Sequence, residues 1–268
     1  MIWKPTGALS RHTKSLISDV DYSARLNAVD IPQLVQAIDK PPSGYSFCPN
    51  SRNSPLVILT STIQTLNDTS ALTQLYQSYL DQLNLGDSGD LESGVSITNI
   101  MRECCLKTIT LNGVPKSINS LAAIRGAIPA SIAEKLAGET TQRQLTADNL
   151  NDFKARGQEL WTSIYHPFHD KLRNILNQNH PDMGSYIIDS HYGALLAPPT
   201  ADSAVGRVET SIIAIACLRT QSGVNPQLLS HAFGLEKADE GEYGWIASDV
   251  GVRWVLDSTD KIIESFRK

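Results

Sequence analysis

Two apolar helices joined by a short turn, within residues 206–239, constrain the fold of this sequence more than any other feature. The first helix is predicted over residues 205–221, where a nearly continuous apolar surface is formed by Ile212, Ile213, Ile215, Ala216 and Leu218. Gly223 can end this helix in a left-handed conformation, Asn225 can cap the next helix, and Pro226 fits its first turn. The chain is therefore expected to reverse here, with the first helix in the core.

This helical pair also carries the densest group of reactive side chains in the sequence. Cys217 lies roughly a quarter-turn around the first helix from Glu209, so we expect the acid and the thiol on one wall of a pocket. His231 lies on the returning helix, and an acid near a histidine is typical of proton transfer. Arg207 and Arg219 are candidates to hold a substrate carboxylate. The structural alternatives are a packed cysteine, a buried histidine bonded to backbone, and surface ion pairs of the arginines.

The order of these residues resembles the repeat unit of the AhpD-like superfamily, which includes carboxymuconolactone decarboxylases and alkylhydroperoxidase D. Arg207 and Glu209 open an apolar helix, a glycine-containing turn follows, and small residues come after His231. Residues 206–239 are most similar to an uncharacterised fungal branch, some of whose members are peroxisomal. The resemblance implies an AhpD-like all-α fold, a small-molecule ligand and homo-oligomers of two or more subunits. It also implies that the preceding helix borders the pocket, which makes Tyr192 a candidate wall residue.

One departure from the superfamily decides between its chemistries. AhpD-type peroxidases carry Cys-x-x-Cys at the end of the first helix, because one thiolate attacks the peroxide and the second resolves the sulfenic acid. Residues 220–224 here read Thr-Gln-Ser-Gly-Val, and decarboxylase-type members likewise lack the dithiol. The sequence therefore favours a decarboxylase-like acid–base enzyme acting on a small carboxylated or oxidised metabolite.

Its expected catalytic residues are Glu209 and His231, and its expected substrate-binding residues are Arg207, Arg219, Tyr192 and Cys217. A non-catalytic homo-oligomeric binding or structural protein and an atypical thiol peroxidase are the alternatives.

An earlier segment, residues 97–138, has the same design in a degenerate form. Aligning the Gly-Val pairs of the two segments leaves Glu103 and Glu209 one helical turn apart, and hence on the same face, but the earlier copy lacks a histidine equivalent to His231. We therefore predict two divergent repeats in one all-α domain. The predicted boundaries are an irregular N-terminal arm at 1–29, the domain at 30–268, the repeats at 97–138 and 203–239, and a docking or oligomer-forming helix at 243–266.

Charge, hydropathy and cysteine usage exclude several classes of protein. A net charge of −5 without a basic cluster argues against a nucleic-acid partner, and no apolar run approaches the roughly 18 residues that cross a bilayer. The cysteines are too few for a disulfide scaffold and lack the spacing of zinc sites, which favours a reducing compartment. Cys104 and Cys105 are neighbours on a helix and do not face each other, so we expect neither to be reactive.

The helical stretch at residues 146–179, capped by Thr146 and kinked at Pro167, contains two histidines with the spacing of metal ligands, His166 and His169. No third ligand accompanies them, so neither a metal nor another cofactor is expected. The aromatic residues of this stretch are expected to form a core and interface stripe; they are Trp161, Tyr165 and Phe168.

The two ends of the sequence give limited information on location. Residues 1–18 contain no acid and include several basic residues, which faintly resembles a mitochondrial presequence, with an irregular surface arm as the alternative. Residues 265–268 do not form the Ser-Lys-Leu peroxisomal signal. We expect an intracellular protein, either mitochondrial or peroxisomal, with a cytoplasmic location as the alternative.

Overall fold

The structure, a computed structural model, describes residues 27–83, 90–200, 203–221 and 223–267. Throughout these ranges the regular structure is helical, without strands, and the prediction of an all-α fold is confirmed. Most of the predicted N-terminal arm lies outside the described residues. No helix in the described part of the chain combines the length and the apolar character that a membrane span requires.

The first half of the chain forms seven helices within these ranges. They are α1 (Ile31–Ile38), α2 (Ser54–Leu66), α3 (Thr69–Asp81), α4 (Leu91–Lys107), α5 (Ile109–Asn112), α6 (Val114–Ala127) and α7 (Ala130–Leu136). The second half adds α8 (Leu150–Tyr165), α9 (His169–Asn179), α10 (Met183–Ser185), a π-helix (Tyr186–Leu196), α11 (Arg207–Thr220), α12 (Asn225–Glu236), α13 (Glu240–Tyr243), a 3₁₀ turn (Gly244–Ala247) and α14 (Asp249–Arg267).

Two helices, α2 and α11, form the centre of the molecule. They pack against each other, and α14 packs against both. Every residue of α11 from Val208 to Leu218 is buried, as is nearly all of α2, because neither helix has a charged side chain in its middle. The predicted core position of the 205–221 helix is therefore confirmed.

Acidic side chains begin several of the helices. Asp30 accepts a hydrogen bond from the backbone N–H of Gln33, and Asp68 accepts one from Ala71, so these residues cap α1 and α3. The predicted cap at Asn225 is wrong, since this residue already belongs to α12 and the preceding Val224 makes no side-chain cap. Thr146 does not cap α8 either, because that helix begins only at Leu150.

Each of the two predicted repeats contains a turn with a glycine of positive φ. Gly113 precedes α6 with a φ of 84°, and Gly223 precedes α12 with a φ of 80°. Each glycine is followed by a proline in the first turn of the next helix, which tolerates the missing N–H. The segments differ in that the earlier long helix is interrupted at Thr108, between α4 and α5. The predicted duplication stays a prediction.

A second, smaller core joins α8 to the π-helix. The kink predicted at Pro167 is instead a break between two helices, since α8 ends at Tyr165 and α9 begins at His169. The backbones of α8 and the π-helix approach so closely that a Cβ atom at Gly157 would lie 2.5 Å from the carbonyl oxygen of Ile188. Trp161 packs in this core, whereas Phe168 is exposed and does not.

The C-terminal segment predicted as one docking helix is divided into α13, the 3₁₀ turn and α14. Trp254, Val255, Ile262 and Phe266 of α14 are buried against the main core of the same chain. The indole N–H of Trp254 donates to the backbone oxygen of Lys40 at 3.2 Å, which ties α14 to the loop after α1. This helix therefore docks within its own chain.

Candidate functional site

The six predicted site residues lie in several separate contacts. Glu209 is buried near the start of α11, where its Oε2 accepts a hydrogen bond of 2.9 Å from the backbone N–H of Gly206. This carboxylate closes the first turn of the helix, and burial raises its pKa. Among the described residues, no hydrogen bond or ion pair joins Glu209 to His231. Glu209 and His231 therefore do not form the expected acid–histidine pair.

His231 lies instead in a buried aromatic cluster, together with Tyr192. Its Nε2 is 3.4 Å from the hydroxyl of Tyr165, which is 2.8 Å from the hydroxyl of Tyr192. The ring of Trp161 packs on Tyr165 with a centroid distance of 4.0 Å. Burial lowers the pKa of His231 to about 4, so the imidazole is neutral at pH 7. Its Nδ1 is buried without a hydrogen-bond partner.

The two arginines serve different contacts. Arg207 donates from Nη2 to the carbonyl oxygens of Ser163, at 3.0 Å, and Gly234, at 2.7 Å. It thereby ties α8 to α12. Arg219 makes a two-pronged ion pair with Asp260 of α14, with both N···O distances at 2.7 Å. Both guanidinium groups are thus used in contacts between helices.

Cys217 is fully buried and has two weak polar contacts. Asn112 Nδ2 lies 3.7 Å from its sulfur, and the Ser61 carbonyl oxygen lies 3.8 Å away. Burial raises the pKa of the thiol to about 12, so the thiolate that would act as a nucleophile is scarce at pH 7. Cys104 and Cys105 are also fully buried, and burial raises their pKa values in the same direction.

A cleft of about 570 Å³ opens beside α4, and none of the six predicted residues lines it. We call it the α4 cleft. Its charged lining consists of Arg102 and Glu103 of α4 with Glu139 and Arg143 of the loop after α7. Hydrogen-bonding groups are added by Asn99, Thr140, Thr141, Gln142, Thr200 and Ser203.

The four charged side chains form two ion pairs of different exposure. Arg143 Nη1 donates to Glu103 Oε2 at 3.2 Å, and both side chains are largely buried. Arg102 Nη1 donates to Glu139 Oε2 at 2.8 Å, and these side chains are 38% and 41% exposed. The inner pair is therefore fixed within the wall, whereas the outer pair lies where solvent reaches it.

Lys107 lies beneath the cleft and is completely buried. Its Nζ donates to the Val205 carbonyl oxygen at 2.8 Å and to Thr210 Oγ1 at 2.9 Å, and it lies 3.9 Å from Glu103 Oε1. Burial lowers the pKa of this amine to about 8, against the attraction of Glu103 and, more weakly, Glu209. Lys107 therefore joins the cleft wall to the beginning of α11.

The cleft was missed from the sequence because its walls come from distant segments. Glu103 was noted only as part of the degenerate repeat, and residues 139–143 have no helical periodicity. One signal was present: Lys107 follows Glu103 at the i,i+4 spacing that places both on one helix face.

No metal site is visible within the described ranges, where no three histidine, cysteine, aspartate or glutamate side chains are grouped to hold an ion. The rings of His166 and His169 stack with their centroids 5.8 Å apart. His169 Nε2 lies 3.5 Å from the carboxylate of its neighbour Asp170. These histidines therefore interact with each other and with one acid, without a third ligand.

Comparison with known proteins gives two similar sequences. The sequence matches no protein-family model, and no solved structure matches it. It is 31% identical to Peroxisomal protein 2 of Saccharomyces cerevisiae, over 52% of this chain and 54% of the yeast protein. It is 30% identical to Peroxisomal protein 2 of Schizosaccharomyces pombe, over 53% of this chain and 61% of that protein. The chain thus spans little more than half the length of the curated relatives it matches.

Proposed function

We propose that this protein is a peroxisomal binding protein of the AhpD-like type, which holds a small polar molecule in the α4 cleft. The observation that supports this proposal is the contrast between the cleft and the predicted catalytic residues. Four charged side chains line an open cavity, whereas Glu209 and His231 are buried and occupied in separate contacts. This favours the binding-protein alternative over an acid–base enzyme centred on Glu209 and His231.

The size and lining of the α4 cleft support binding of a small molecule. Small-molecule sites usually measure about 300–1,000 Å³ and contain a few well-placed polar groups, and a volume of about 570 Å³ falls within that range. Buried ion pairs hold part of the wall in place, since Glu103 is bound by Arg143 and faces Lys107 at 3.9 Å. A wall that is already ordered loses little conformational freedom when a ligand binds.

The location and the assembly are proposed on separate grounds. Two relatives are named as peroxisomal proteins, and this similarity supports the same location for this chain.

The resemblance to the AhpD-like superfamily implies homo-oligomers. Leu229 and Phe233, one turn apart on α12, are 58% and 52% exposed, and this apolar pair is the surface proposed to contact a second subunit.

Filling the cleft tests the proposed function directly. Thr141 lines the cleft and is exposed, so Thr141→Trp should occupy the cavity without removing an ion pair. Gln227→Trp places the same side chain on the exposed surface of α12 and is the matched control. Each protein is incubated with a metabolite extract of yeast cells, and bound small molecules are measured by native mass spectrometry.

We expect a bound mass in the wild type and in Gln227→Trp, and at least a tenfold lower bound fraction in Thr141→Trp. Equal occupancy of all three proteins, or a wild type that retains no small molecule, would contradict binding in the α4 cleft.

Acid–base catalysis at His231 is the second candidate function. It is favoured by the unpartnered Nδ1 and by the chain of hydroxyls from Tyr165 to Tyr192. If it is correct, the wild type should release CO₂ from one of a panel of small lactone and keto carboxylates. His231→Asn should abolish that release, whereas Thr141→Trp should retain it. Release that survives His231→Asn would exclude this candidate.

A further inference from the structure

A second cavity of about 580 Å³ adjoins the α4 cleft. We call it the α6–α7 cleft, because Leu121 and Arg125 of α6, Ile128 of the connection and Ala133 and Leu136 of α7 line it. Arg102, Leu121 and Glu139 belong to both linings. The two cavities are therefore neighbours that share the Arg102–Glu139 ion pair, and the α6–α7 cleft offers the apolar side chains of Leu121, Ile128, Ala133 and Leu136 beside that pair.

The Arg102–Glu139 pair is the most accessible charge pair at this boundary. Because both side chains are more than one third exposed, the pair contributes little to stability and can open at small cost. The deeper Arg143–Glu103 pair is largely buried, and separating it would leave uncompensated charge in the wall. A ligand should therefore exchange partners with the outer pair and leave the inner pair intact.

We propose that the two clefts form one site for a small amphipathic zwitterion, whose carboxylate binds Arg102, whose ammonium binds Glu139, and whose apolar tail lies on Leu121, Ile128 and Leu136. This inference rests on the proposed function, since it names the class of molecule that the α4 cleft holds. It adds the α6–α7 cleft as the tail-binding part of the same site.

Charge balance favours a zwitterion over an anion or a cation. Where the two clefts meet, the outer pair offers one charge of each sign, Arg102 and Glu139, whereas Glu103 and Arg143 bind each other and Arg125 of the α6–α7 cleft is exposed to solvent. An anion bound to Arg102 would leave Glu139 unpaired, and a cation bound to Glu139 would leave Arg102 unpaired. A zwitterion gives each of these side chains a new partner, and a tail over Leu121 and Leu136 removes apolar surface from water.

The test compares three probes with the same eight-carbon chain: 2-aminooctanoate, octanoate and octylamine. Affinities are measured by isothermal titration calorimetry at pH 7. We expect 2-aminooctanoate to bind the wild type at least tenfold more tightly than octanoate or octylamine. We also expect 2-aminohexanoate, two methylenes shorter, to bind about tenfold more weakly than 2-aminooctanoate if the tail is buried.

Two charge variants give a readout that a purely structural role would not produce. Glu139→Gln should shift the preference toward octanoate, and Arg102→Gln should shift it toward octylamine, each by about tenfold. The matched control is Arg253→Gln, which opens an exposed ion pair of the same 2.8 Å length with Asp249 on α14. This control should retain the wild-type preference.

Three results would overturn the zwitterion site: octanoate that binds the wild type as tightly as 2-aminooctanoate, an unchanged preference in both charge variants, or no binding of any probe. If Thr141→Trp still removes a ligand taken from cell extract, the binding function stands and only the ligand class is wrong. If Thr141→Trp has no effect either, both proposals fail.

Discussion

Replacing Lys107 by methionine should remove a specific pH dependence from the stability of this protein. The Lys107 amine is fully buried, and its pKa falls from 10.5 in the unfolded chain to about 8 in the folded chain. Below pH 8 both states are protonated, so the folded state carries the cost of a buried ammonium ion. Between pH 8 and 10.5 the unfolded state holds more protons, so the free energy of unfolding rises with pH.

The magnitude follows from the size of the pKa difference. Each unit corresponds to about 1.4 kcal/mol, so the wild type should gain about 2 to 3 kcal/mol relative to Lys107→Met between pH 7 and pH 10. Methionine also loses the hydrogen bonds to Val205 and Thr210, but that loss does not depend on pH in this way. Buried thiols and tyrosines titrate in the same range and cancel in the comparison, since both proteins contain them.

The assay is urea denaturation of both proteins at pH 7, 8.5 and 10, with Lys135→Met as a control whose amine is largely exposed. The control should follow the wild type at every pH. A stability difference between wild type and Lys107→Met that stays constant from pH 7 to pH 10, within about 0.5 kcal/mol, would refute a lowered lysine pKa and the burial that causes it.

Further predictions concern the thiols, the helix contact and the assembly. A thiol reagent should modify only Cys48 in the native protein, because the other three cysteines are fully buried, and should modify all four after unfolding. Rapid labelling of Cys217 in the native protein would contradict this and support a reactive thiol. Gly157→Ala should destabilise the protein by about 1 to 3 kcal/mol, because the added methyl group overlaps the π-helix backbone. The control Gly126→Ala has open space around the added methyl group and should not destabilise the protein. Equal melting temperatures of the two variants would contradict the close contact at Gly157. Leu229→Ser with Phe233→Ser should lower the mass measured by sedimentation, and a wild type that already sediments at 29.3 kDa would exclude the proposed oligomer.

Helix positions were largely predictable because local rules determine them. The apolar run at Ile212–Leu218 lacks charge, so it had to be buried, whereas the caps predicted at Asn225 and Thr146 miss the true N-cap positions by one and three residues, respectively. The π-helical backbone was not predictable, since its residues differ from those of an ordinary apolar helix in no evident pattern. Its contact with α8 depends on Gly157 and Gly193, which are distant in sequence.

The candidate site was harder to predict because reactive residue types also have structural uses. Glu209 was assigned to catalysis, yet it stands three residues after Gly206 at a helix start, where a glutamate commonly bonds to the backbone. Lysine is rarely buried, so nothing in the composition indicated that Lys107 lies beneath a cleft. The cleft itself depends on the conformation of residues 139–143, which no periodic pattern specifies.

The most direct test of the α4 cleft is to locate where a ligand binds. The ¹⁵N-labelled protein would be titrated with the fraction of yeast extract that native mass spectrometry shows to bind, and backbone amide shifts would be followed by NMR. We predict the largest shifts at Asn99, Arg102 and residues 140–143. Large shifts around Tyr165, Tyr192 and His231, with residues 140–143 unchanged, would contradict this assignment and place the site in the buried aromatic cluster.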